Sequence, residues 1–204
     1  MSDVNEWVVR EYFEEQGYLV SQPCKYTVGG RREKRAEEEI DLIIHNPCVR
    51  THTIPEHFVW RTEDLEHISS AIVGIRGWHG HRVYASTFKD TPEAVAFAQP
   101  RSARVGAKRL GSPDFARILC VPKLPAGGEF KDQVINLLRV SGVDGVLAFP
   151  TMLADIVQGV DDRKNYEKSD LLQIIRLLKS YDLIKDSQLE LFTKPKPRRK
   201  GKRS

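Results

Sequence analysis

Asp41 stands in the run Glu38-Glu39-Ile40-Asp41-Leu42-Ile43-Ile44-His45, an acid among branched apolar residues. Removing a carboxylate from water there is costly, so such an acid takes a specific partner, either a structural hydrogen-bond donor or a site ligand. Strand alternation places Glu39, Asp41 and Ile43 on one face and Ile40, Leu42 and Ile44 on the other. A second apolar run, Ser70 to Trp78, ends on Arg76, whose planar fork matches phosphate but also suits a surface ion pair or stacking on Trp78. Trp78-His79-Gly80-His81-Arg82 follows. His79 and His81 suit a metal or a proton transfer to a leaving group, or they are plain solvated loop histidines. Arg101, Arg104 and Lys108 share one side of a predicted helix, as a phosphate-binding ridge or a solvated charged face. Glu6 lies near the start of another helix, where Asp3-x-x-Glu6 also matches a capping box.

These residues need elements to hold them. The spacing of Val4, Trp7, Val8 and Tyr12 predicts a helix ending at Gly17, packed by that stripe, with a strand beginning at Tyr18. Residues 29–35 read as a hairpin tip, 38–45 as a strand, and 46–67 as a long excursion with a short helix near Glu63 to His67. After the strand from Ser70, Thr91-Pro92-Glu93 starts a helix toward Gln99 that is interrupted at Pro100 and resumes toward Leu110. A strand over 116–121, a helix over 130–140 and a strand over 145–149 read as parallel βα units. Helices over 151–157 and 170–183 complete the chain's ordered part, the second with an Asp170-x-x-Gln173 box and a stripe of Leu171, Ile174, Ile175 and Leu178.

With Glu6 on the first helix, Gly17-Tyr18 ending it, Glu39-Ile40-Asp41-Leu42-Ile43 on the second strand and Val73-Gly74-Ile75-Arg76 on the third, residues 3–150 resemble the PD-(D/E)XK, or restriction-endonuclease-like, nuclease superfamily. The resemblance implies an α/β fold with a helix, a three-stranded antiparallel start, a second helix and then parallel strand-helix units, the central mixed sheet flanked by helices. It further implies phosphodiester hydrolysis by a DNA endonuclease that uses Mg²⁺ or Mn²⁺. Asp41 and Glu6 would be metal carboxylates, with Glu39 as a migrated ligand and Glu66 and Asp64 as more distant candidates; Asp41, Arg76 and Glu6 would be catalytic. Such ions take carboxylate oxygens and stabilise charge on phosphate. Where the pattern has a second strand carboxylate this sequence has Gly74, and where it has lysine it has Arg76, which binds phosphate but is never a general base. An inactive nuclease fold retained for binding DNA or RNA accounts for the same substitutions, and a protein-interaction module is a third reading. The family also admits homodimers.

The net charge of +4 is misleading, because seven Lys and Arg lie between Lys194 and Arg203 without an acid among them, leaving the rest of the chain net negative. The predicted organisation is a single domain over 1–192 and a disordered basic tail over 193–204. Arg198, Arg199 and Lys200 in that tail, with Arg76, His79, His81, Arg82, Arg101, Arg104 and Lys108, are the expected nucleic-acid contacts. Three well-separated cysteines fit neither a disulfide framework nor a zinc site. No apolar run is long enough to span a bilayer and the N-terminal residues lack signal-peptide order, so a cytoplasmic protein without membrane partners is expected.

Overall fold

The computed structural model describes residues 4–23, 37–77 and 82–184. The chain divides into two compact units, Met1–Ile156 and Val157–Ser204. The first is an α/β unit around a five-stranded mixed sheet in the order β1 (Leu19–Ser21), β2 (Leu42–His45), β3 (Ser70–Ile75), β4 (Ala116–Val121), β5 (Gly145–Ala148). β1, β2 and β3 pair antiparallel, whereas β3–β4 and β4–β5 pair parallel. Parallel neighbours need a crossover, and helices supply both. The 3-10 helix Pro92–Ala98 and α3 (Pro100–Leu110) lie between β3 and β4, and α4 (Glu129–Val140) between β4 and β5.

Helices cover both faces. Ile72 and Leu119 belong to the core cluster that holds Phe97, Phe115, Val134 and Leu138, so the crossover helices pack on that side. Cys120, between Leu119 and Val121, points the other way by alternation, and Tyr12 of α1 (Val4–Glu15) is close enough for Cys120 to contribute to the raised pKa of its phenol. α1 therefore covers the opposite face, and α5 (Phe149–Gly159) reaches the same neighbourhood through Asp155. On α1 the buried residues are Val8, Val9, Tyr12 and Phe13, while Val4 and Trp7 are exposed. Val8 and Tyr12 of the predicted stripe are buried, but Val4 and Trp7 give way to Val9 and to Phe13, which packs edge-on between Tyr12 and Tyr18. Gly17, at φ +80°, ends the helix with Gly17 N donating to Glu14 O and Tyr18 N to Phe13 O. This Schellman closure turns the chain into β1.

β2 is shorter than the predicted strand, because Glu37 and Glu38 are helical and the ladder begins with Asp41 N donating to Val73 O at 3.1 Å. The 46–67 excursion ends in a 3-10 helix, Thr62–His67, as expected, but on the way it crosses to β5, where Val59 forms a parallel bridge with Val146. The interruption at Pro100 is present, with Pro at the first helical positions of both flanking helices. One helix was not foreseen: α2 (Ala85–Asp90) holds a single buried apolar residue, Phe88, too little to produce a periodic signal.

The second unit contains α6 (Asp170–Ser180). Its N-cap is Ser169, whose Oγ accepts from Leu172 N at 3.3 Å, and not Asp170. Gln173 Oε1 accepts instead from Tyr166 N at 3.1 Å. Leu172 and Ile175 are buried and Ile174 is exposed, which corrects the predicted stripe. Among the described residues no helix is long and apolar enough to cross a membrane.

Candidate functional site at the edge of β2 and β3

β3 ends beside the start of β2, so the antiparallel pair brings Asp41 and Arg76 to one edge of the sheet. Asp41 Oδ2 accepts from Ile75 N at 2.7 Å and from Arg76 Nη1 at 2.6 Å. The pair is partly withdrawn from water, with side-chain exposures of 18% for Arg76 and 30% for Asp41. Arg76 Nη1 also donates to Ile75 O at 2.7 Å, and Nε donates to Ala94 O at 2.9 Å, so Nη1 and Nε are both engaged. Its guanidinium carbon lies 6.0 Å from the centre of the Phe97 ring, at the outer limit of a cation–π contact. The backbone holds the same arrangement, since Arg76 N donates to Cys120 O at 2.9 Å.

Position 74 has no room for a carboxylate. A Cβ there would overlap the Phe97 ring, whose Cδ1, Cε1 and Cγ all fall inside contact distance. Phe97 is fully buried and belongs to the 3-10 helix, which therefore covers the place where the family resemblance puts a metal ligand. Glu39 is tied to the same segment, its Oε2 accepting from Ser102 Oγ at 2.6 Å. Ser102 is completely buried at the start of α3, and its Oγ is also 2.9 Å from Ala96 O.

Glu6 Oε1 accepts from Gln22 Nε2. Asp3, its proposed capping partner, lies outside the described residues. Asp64 accepts from His57 Nε2 at 2.8 Å and from Arg61 N at 2.7 Å, which fixes the turn entering the Thr62–His67 helix, and Glu66 is exposed. Among the described residues no group of three or more His, Cys, Asp or Glu side chains is placed to hold a metal ion. The donor set fits Mg²⁺ or Mn²⁺ poorly as it stands, because Asp41 faces a guanidinium and Glu39 a hydroxyl.

Trp78, His79 and His81, and the tail residues Arg198, Arg199 and Lys200, lie outside the described residues; Arg82 is exposed. Arg101, Arg104 and Lys108 are exposed on α3, opposite its buried Ser102 and Gly106. Arg109, on the same helix, pairs with Glu37 at 3.0 Å. Beneath the edge, burial pushes the Cys120 thiol well above its ordinary range, the Asp41 carboxylate adds to the effect and Arg76 opposes it.

The sequence reading missed Phe97, Ala94 and Ser102, which close the site from above. Gly74 was the available signal, because a glycine inside an apolar strand commonly marks a close approach by another element. Compared with protein-family models, with curated proteins and with solved structures, the chain matches none of them.

Proposed function

We propose that this chain is a nucleic-acid-binding protein, acting on DNA, whose nuclease-like core binds without cleaving. The observation that carries this reading is the internal use of the expected catalytic groups. Arg76 spends its donors on Asp41, Ile75 and Ala94, and Phe97 covers position 74. With three of its five N–H donors held by protein acceptors and its charge facing a carboxylate, the guanidinium is a poorer clamp for a scissile phosphate, and the paired carboxylate is less available to a metal ion. The antiparallel β1–β3 start followed by parallel β4 agrees with the architecture the resemblance implies. Exposed Arg101, Arg104 and Lys108 supply phosphate contacts, and the cations of 194–203 add a sequence-independent attraction.

The test is incubation of the full chain with plasmid, linear duplex and single-stranded DNA in Mg²⁺ and in Mn²⁺, beside Asp41→Ala, with binding followed in parallel across salt concentrations. The expected result is no cleavage, with affinity falling steeply as salt rises. Reversing Arg101 and Arg104 to Glu should make the log–log salt dependence shallower by about one unit for each phosphate that is no longer neutralised. Metal-dependent cleavage abolished by Asp41→Ala would replace this reading with a working nuclease, and absence of binding at low salt would remove nucleic acid altogether.

A further inference from the structure

Two aromatic rings meet on the surface where chain leaves the carboxyl ends of β3 and β4. Tyr84 precedes α2 and Phe130 opens α4; they are 42% and 64% exposed, and their rings stand edge to face, centroids 6.4 Å apart at 88°. Phe130 continues the stripe of buried Val134 and Leu138 by one turn beyond the core, so helix geometry puts it at the rim. Tyr84 follows buried Val83, whose N donates to Lys123 O at 2.8 Å, which ties the two connections together. Exposed Arg82 and partly exposed Lys131 adjoin the rings in sequence, and exposed Lys123 is brought to Val83 by the backbone hydrogen bond. The first turn of α4 also carries Glu129 and Asp132, and Glu129 accepts from Gln133 Nε2 at 3.1 Å. The local charge is therefore mixed, and attraction to phosphate alone does not explain the patch. Parallel β3 and β4 end on the same side of the sheet as Arg76.

We infer that Tyr84 and Phe130 form a stacking platform for unpaired bases, so that single-stranded nucleic acid is the preferred ligand. The inference rests on the nucleic-acid reading above and adds the strand state to it. Every base offers a π-face, so rings of this kind bind single strands with little sequence choice, and the bases of a duplex are not free to reach them. Stacking releases no counterions, so this part of the affinity persists as salt rises, in contrast to the part contributed by α3 and the tail.

The experiment measures anisotropy of a fluorescein-labelled oligo(dT) and of a duplex of equal length, at low and at moderate salt, for the full chain and for Tyr84→Ala, Phe130→Ala and Phe130→Tyr. Each alanine variant should weaken oligo(dT) binding by about tenfold at either salt concentration and leave duplex binding unchanged, and Phe130→Tyr should retain binding. A Phe130→Trp protein provides an independent readout, with indole emission expected to be quenched by oligo(dT) and not by duplex. If oligo(dT) binds equally well to both alanine variants, or single-strand and duplex affinities fall together, the platform is wrong while the nucleic-acid reading stands. If the unaltered chain binds neither ligand at low salt, both fall.

Discussion

The Phe97 ring lies where a Cβ on Gly74 would stand, so a residue on the 92–98 helix excludes any side chain at position 74, beside Asp41 and Arg76. Gly74→Ala should accordingly destabilise the protein by about 1–3 kcal/mol through overpacking. The double variant with Phe97→Leu should cost less than the sum of the two single changes, because the smaller side chain vacates the space. Urea denaturation of the four proteins measures this directly. Additive costs would show that the ring and the glycine do not compete.

Arg76 and Asp41 hold each other and the covering helix. Arg76→Ala leaves the Asp41 carboxylate and the Ala94 carbonyl short of a donor, and a loss of about 1–3 kcal/mol is expected. Arg76→Lys should lose less, since the charge remains and the planar fork does not. A double-mutant cycle with Asp41→Asn and Arg76→Met should give a coupling of at least about 0.5 kcal/mol. A coupling indistinguishable from zero would mean that the pair contributes nothing to stability.

Tyr12 and Tyr18 are buried phenols with raised pKa values, chiefly because burial penalises the phenolate. At Tyr12 the hydrogen bond with Thr62 Oγ1 at 2.9 Å works against the shift and the Asp155 carboxylate adds to it. The folded state therefore holds these protons more tightly than the unfolded state. The stability that follows is fully present below about pH 10, the ordinary phenol value, and declines as pH rises beyond it. In an absorbance titration Tyr12 and Tyr18 should ionise only as the fold is lost. Tyr12→Phe should flatten the alkaline limb of the stability profile. Early ionisation of Tyr12 and Tyr18 would contradict this burial.

Cys120 is completely buried and its thiol is pushed up, whereas Cys48 is exposed. Thiolate is the reactive form, so Cys120 should be inert in the folded protein. In a Cys24→Ser/Cys48→Ser protein, a disulfide reagent should label Cys120 at the rate of unfolding and no faster. Immediate labelling under native conditions would show that this part of the sheet opens locally.

Local sequence settled what depends on near neighbours in the chain. The alternating and continuous apolar runs marked β3, β4 and β5, and Pro92, Pro100 and Gly17 marked helix boundaries, because each acts on its own backbone. The acid among the β2 aliphatics announced that Asp41 must have a partner. Which partner it took was decided by tertiary structure. Arg76 is 35 residues away, and its orientation toward Asp41 depends on strand register and on the Ala94 carbonyl brought over by the crossover. Gly74 showed only that something approaches closely; that it is Phe97 follows from how the 92–98 helix packs on the sheet. Helix phase on α1 and α6 was legible only in part, at Val8, Tyr12 and Ile175, since several apolar stripes satisfy the spacing and only the available neighbours select the one that is buried.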